Sequence, residues 1–222
     1  LHLSLRRQRQ MCIRDRYMSE QSKNEDYISL IESENEKHLF FSGSLNRLSA
    51  FNLNGQLVAC DMAYREKKTE NEFGFIQKDE QKEVNDKLII HLNCPGGQVS
   101  YAFLIADVIK SLEIPVYCMG EGSIASAGIV LLLACEKRTA LPHCTFYFHE
   151  TIHSIEQLSF DELESFMEES KRVNEELKNY YRIRSNISIA DIDTLMRSEA
   201  IISALEAYNK GFLTDLPGTI LV

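Results

Sequence analysis

Apolar residues at 101, 104, 105, 108, 109 and 112 follow the i, i+3, i+4, i+7 spacing that turns one helix face toward a core. Ser100 stands ahead of them as a candidate N-cap, and Pro115 stops the helix. Strand-like segments flank it, 87–92 before and Pro115-Val116-Tyr117-Cys118-Met119 after. The run Ile129-Val130-Leu131-Leu132-Leu133 is apolar all round, as a buried helix is. Cys144-Thr145-Phe146-Tyr147-Phe148 alternates and is rich in β-formers. A capping box, Ser159-Phe160-Asp161-Glu162, opens a long helix to about 184, with Leu163, Phe166, Met167, Val173 and Leu177 on one side and charge elsewhere. A second box, Ser203-Ala204-Leu205-Glu206, opens a short helix closed by Gly211. Strands alternating with helices give an α/β fold. A lysine-rich acidic stretch over about 67–86 reads as a surface loop following an earlier helix.

At 222 residues and 44% hydrophobic content the chain can bury a core as one domain with an appended helical arm. The formal net charge is −9, and the first 17 residues hold five arginines against one aspartate, so the remainder carries −13. An acidic body repels phosphate, which argues against nucleic acid as a partner. The longest apolar run, 124–135, is about half of the ~20 residues that a membrane span needs. Six cysteines without paired short spacing read as buried thiols rather than a metal site, which fits a reducing, cytoplasmic setting. Residues 1–17 read as a non-native, adapter-derived tail, with the natural protein starting at Met18. Residues 18–36 read as a flexible lead-in and 37–222 as the folded domain.

Chemistry concentrates in Asn93-Cys94-Pro95-Gly96-Gly97 and Gly122-Ser123-Ile124-Ala125-Ser126-Ala127-Gly128. The second motif puts Ser126 where strand gives way to buried helix, among small residues that admit a substrate backbone. A serine nucleophile needs a base, and His149 at the end of a strand is the best candidate. Glu199, Asp193, Asp191 and Glu150 follow it as carboxylates able to orient an imidazole, and local chemistry does not choose among them. Ser123 competes as a helix cap, and His143 and His153 compete as the histidine.

The segment from about 38 to 221 resembles the proteolytic subunit of the ATP-dependent Clp protease. The resemblance rests on those two motifs, Leu141-Pro142, Phe148-His149 and the closing stretch 203–213. It implies a ClpP/crotonase-like repeated β-β-α superhelix with a protruding helical handle over about 157–184. It also implies Ser126 as nucleophile, His149 as base, and the backbone N–H groups of Gly97 and Ala127, with Gly97 and Ser126 29 residues apart, as oxyanion hole. Glu199 stands where the family usually has aspartate, and 150–156 lacks the family's glycines and proline. The implied activity is a serine endopeptidase acting on unfolded polypeptides inside heptameric, stacked rings, without metal or organic cofactor. It would be fed by a hexameric AAA+ unfoldase or act in phage-type capsid maturation. The alternatives are a non-catalytic ring subunit, a crotonase-like acyl-CoA hydratase or isomerase, and a serine–lysine peptidase using Lys137 or Lys171.

Overall fold

The elements expected between 87 and 119 are present, and they form the centre of the molecule. The computed structural model describes residues 26–33, 36–73, 86–152 and 159–219. Its strands are β1 (Tyr27–Glu32), β2 (Glu36–Ser42), β3 (Lys87–Cys94), β4 (Val116–Ala125), β5 (Lys137–Ala140), β6 (Thr145–Tyr147) and β7 (Ile201–Ser203). Its helices are α1 (Arg47–Phe73), α2 (Val99–Ser111), α3 (Ala127–Ala134), α4 (Phe160–Arg184), α5 (Ile189–Arg197) and α6 (Ala204–Asn209). The strands form one sheet ordered β1-β2-β3-β4-β6-β7, with β5 also paired to β4. Pairing is parallel from β2 to β4 and onward to β5 and β6, and antiparallel at β1/β2 and β6/β7.

Alternation decides which sheet face is buried. Leu39 and Phe41 on β2, Leu88, Ile90 and Leu92 on β3, and Val116 and Cys118 on β4 all point into one core. Every residue of α3 is buried there, which is why its sequence is apolar on all sides. Arg138 on β5 is buried as well, and its guanidinium donates to the carbonyls of Phe212 (2.9 Å), Cys135 (3.1 Å) and Arg184 (3.2 Å). Those acceptors lie at the ends of α3 and α4 and in the closing segment, so one charged side chain ties three elements together.

Three expectations change. Gln98, with no side-chain cap bond, precedes α2, and Ser100 lies inside the helix. Residues 67–73 continue α1, because Lys67 bridges to Asp86 (2.7 Å) and Lys68 to Glu113 (3.3 Å), giving the polar stretch tertiary partners. The rest of that loop, 74–85, is outside the described residues. Tyr27–Glu32, within the expected lead-in, is strand β1, since its Ile-Ser-Leu-Ile run pairs along β2. The long helix runs from the expected capping box at Ser159 to Arg184; positions 1–17 and 157–158 lie outside the described residues. Among the described residues no helix is long and apolar enough to cross a membrane.

Asp61 fixes how the helices meet β4. Its buried carboxylate accepts the N–H groups of Glu113 (2.7 Å) and Ile114 (2.9 Å) and Arg65 Nε (2.6 Å). Asp61→Ala strands those backbone donors and is expected to cost about 3 kcal/mol in equilibrium urea unfolding, whereas Asp61→Asn, which keeps one acceptor oxygen, costs about 1 kcal/mol.

Candidate active site

Ser126 is the single residue between the end of β4 and the start of α3. Its backbone is left-handed, φ 52° and ψ −124°, a conformation that costs a non-glycine residue about 1–3 kcal/mol. Its N–H donates to the Tyr147 carbonyl (2.9 Å), and its carbonyl accepts from the Ile129 N–H (3.0 Å) and the Tyr181 hydroxyl (3.1 Å). The Ser126 hydroxyl makes no cap bond to α3, so it is not consumed by the helix it precedes. Ser123, the competing cap, lies within β4.

The glycine pair packs directly against this turn. A Cβ on Gly96 would lie 2.9 Å from Ser126 Cβ and 3.4 Å from Ala127 N, and one on Gly97 only 2.2 Å from the Leu45 carbonyl oxygen. Gly96 and Gly97 adopt φ +103° and +137°, open to glycine alone at such closeness. Leu45 N–H donates to the Gly96 carbonyl (2.7 Å) and Gln98 N–H to the Leu45 carbonyl (2.8 Å). The Gly97 N–H lies between those two bonds and points away from Leu45. Ala127 N–H, first in α3, has no partner within the helix. Asn93 braces the irregular end of β4: its side chain accepts from Ser123 N–H (3.2 Å) and donates to Ser42 Oγ (3.0 Å), where the register between β3 and β4 shifts.

His149 leaves β6 at the sheet end where Ser126 leaves β4, because β6 runs parallel to β4 with Tyr147 beside Ala125. Its ring packs at 5.1 Å from the Tyr147 ring. Nδ1 lies 2.5 Å from the Glu150 carbonyl; a carbonyl only accepts, so Nδ1 carries the proton and Nε2 is left as the acceptor. Among the described residues no hydrogen bond joins the Ser126 hydroxyl to His149. His143 sits in the exposed turn at the other end of β6, and His153 lies outside the described residues.

Of the four carboxylates left open by the sequence, two are engaged elsewhere. Asp191 accepts the Ser188 hydroxyl (2.6 Å) at the start of α5. Asp193 pairs with Lys178 (2.5 Å) and Arg197 (3.1 Å), and the Lys178 bond holds its carboxyl below the usual range. Glu150 lends its carbonyl to His149. Glu199 takes a left-handed turn after α5, φ 51°, closed by Glu199 N–H to Met196 O (3.3 Å) and Ala200 N–H to Leu195 O (3.0 Å), a Schellman cap at a position where glycine is usual. The Ala200 carbonyl then accepts from Phe148 N–H (2.9 Å), which carries the β6/β7 ladder one residue beyond Tyr147–Ile201. His149 and Glu199 each lie one residue past that last bond. Ser126 and Glu199 are the two non-glycine residues with positive φ among those described.

Lys137 is placed far away: its Nζ lies over the Tyr117 ring at 5.0 Å, nine residues along β4 from Ser126, or about 30 Å at strand rise. Lys171 is exposed on α4. Among the described residues no cluster of three His, Cys, Asp or Glu can hold a metal ion. Sequence reasoning missed Asn93, Tyr181 and Asn174, whose Oδ1 accepts the Thr151 N–H (2.9 Å) just beyond His149. Tyr181 extends the apolar stripe of α4 by one more i, i+4 step past Leu177, and that was its available signal.

Gly96→Ala drives a methyl into the Ser126 side chain, so labelling of Ser126 by a fluorophosphonate is expected to slow about 100-fold, as misplacement of a reacting group does. Cys94, beside the glycine pair, is buried, and desolvation pushes its thiol up to about 12. Iodoacetamide at neutral pH is therefore expected to leave Cys94 unmodified in the folded protein and to modify it after unfolding, as read by mass spectrometry.

A family model described as Clp protease matches residues 56–217. The ATP-dependent Clp protease proteolytic subunit 2 of Treponema pallidum is 25% identical over 139 residues, spanning 62% of this chain and 69% of that protein. Subunit 3 of Rhizobium johnstonii is 28% identical over 134 residues, 60% of this chain and 69% of that protein. A solved structure of a ClpP1 mutant from Listeria monocytogenes matches with TM-score 0.65 and 24% identity over 81% of this chain and 90% of that one. That likeness establishes the ClpP fold for the sheet and helices described above. The serine turn, the glycine pair and strands β3 to β7 all fall inside the matched segment: the chain belongs to the Clp protease family.

Proposed function

We propose that the chain is a serine endopeptidase that cleaves unfolded polypeptides inside an oligomeric ring. The observation that carries this reading is the Ser126 turn, strained, uncapped and packed against Gly96-Gly97 at the sheet end where His149 emerges. Ser126 Oγ attacks a peptide carbonyl while His149 Nε2 takes its proton. The oxyanion of the tetrahedral adduct is held by the N–H groups of Gly97 and Ala127, donors worth about 3 kcal/mol each in such sites. Collapse breaks the C–N bond, and the imidazolium returns its proton to the leaving amine. Water then attacks the acyl-enzyme with His149 as base again, and Ser126 is regenerated. Glu199, one residue past the last bond of the β6/β7 ladder as His149 is, stabilises the imidazolium.

The names of the relatives, proteolytic subunits of an ATP-dependent protease, support an ATP-driven feeding partner, an AAA+ unfoldase, and the buried free thiols support a reducing, cytoplasmic setting. Phe160 and Met167, large apolar residues exposed on α4 at 79% and 51%, support handle-to-handle contact between rings. The chemistry needs no metal or organic cofactor. One observation favours a second reading, a non-catalytic ring subunit: His149 Nδ1 faces its neighbour's carbonyl and the serine–histidine bond is not formed. Catalytic hydrogen bonds often tighten only when substrate is bound, so activity itself decides.

Fluorophosphonate labelling with peptide mapping, alongside cleavage of fluorescein-labelled casein by the assembled protein, tests the proposal. The adduct is expected on Ser126 and to be lost in Ser126→Ala and His149→Ala, with Glu199→Gln slowing turnover at least about tenfold. No labelling in an oligomer of confirmed mass would favour the non-catalytic subunit.

A further inference from the structure

We propose that Tyr181 is a positioning residue for catalysis, acting through the Ser126–Ala127 peptide on the oxyanion donor rather than touching the substrate. The inference rests on the serine endopeptidase reading above. The Tyr181 hydroxyl donates to the Ser126 carbonyl at 3.1 Å, and the Ile129 N–H donates to the same oxygen at 3.0 Å. That carbonyl belongs to the peptide unit whose other end is the N–H of Ala127. A peptide is planar and trans, so fixing the direction of its C=O fixes the direction of its N–H. Two donors on the oxygen therefore aim the Ala127 N–H. They also polarise it, since hydrogen bonds in series strengthen one another in a low-dielectric interior.

The rest of Tyr181's environment suits this role. The residue is 2% exposed, and its ring meets those of Phe148 and Phe212 edge-on at 6.0 and 6.2 Å. Those contacts hold the ring without help from the hydroxyl, and Phe148 is the residue that precedes His149. Desolvation moves the phenol well above its ordinary range, so it is a donor at neutral pH. Tyr181 lies in the last turn of α4, which makes the base of the handle helix part of the catalytic apparatus.

The test compares wild type with Tyr181→Phe in the full, assembled protein. Removing one hydroxyl while keeping both ring contacts is expected to lower kcat roughly three- to tenfold, the size of one hydrogen bond's net contribution. KM and oligomeric mass should stay unchanged, the melting temperature should fall by no more than the few degrees one lost hydrogen bond costs, and the inhibition constant of a peptide boronate, which mimics the oxyanion, should rise by the same factor as kcat falls. An unchanged kcat, or a fall in kcat without parallel loss of boronate affinity, overturns the inference. If Tyr181→Phe does not assemble, site-specific 3-fluorotyrosine at 181, a near-isostere with a more acidic hydroxyl, is expected to raise kcat; an unchanged or lower value then overturns it. A wild-type chain that neither labels at Ser126 nor cleaves casein defeats the peptidase reading itself, whereas an active wild type matched by Tyr181→Phe defeats this inference alone.

Discussion

Holding a serine in a left-handed backbone conformation between a strand and a buried helix is the constraint on which the site depends. At φ 52° and ψ −124° Ser126 would relax if its neighbours allowed it. They do not: the Tyr147 carbonyl holds its N–H, and Ile129 and Tyr181 hold its carbonyl. The wholly buried α3 cannot shift without opening the core. Strain stored at one residue is thus opposed by packing spread over a whole domain, which is how such conformations persist at functional sites.

The neighbours are brought together by the parallel sheet. β3 delivers Gly96-Gly97, β4 delivers Ser126 and β6 delivers His149, all at their carboxyl ends, the side on which open α/β sheets build crevices. The antiparallel β7 approaches from the opposite direction, and its last bond, Phe148 N–H to the Ala200 carbonyl, joins the residues that neighbour His149 and Glu199. Glutamate at the turn after α5 bears a conformational cost that a glycine would avoid. Arg138 and Asp61 fasten the far side of the sheet to the helices, so the carboxyl ends are presented by a rigid body.

Much of this was legible in the sequence because local signals and tertiary roles coincide. The capping boxes at Ser159 and Ser203 form as expected, since both partners of a capping box lie within four residues. The apolar run of α3 is buried on every side, and the two glycines and Ser126 meet because each ends or follows a strand. What the sequence withheld depends on long-range register. Local chemistry left four carboxylates equal, and the resemblance alone set Glu199 apart, because the β6/β7 ladder that ends beside it joins segments more than 50 residues apart. Residues 67–73 looked like loop because the partners of Lys67 and Lys68 are distant in sequence. Tyr181 was passed over on a charged helix, because the carbonyl it meets lies 55 residues away.

The most direct measurement is a structure of the assembled protein with a peptide boronate bound. The expected result is a covalent bond from Ser126 Oγ to boron, one boronate oxygen within 2.7–3.1 Å of both Gly97 N and Ala127 N, and His149 Nε2 turned to the Ser126 oxygen with the Glu199 carboxylate on Nδ1. A boronate bound elsewhere, or bound to Ser126 with its oxygens away from Gly97 and Ala127, would contradict the account.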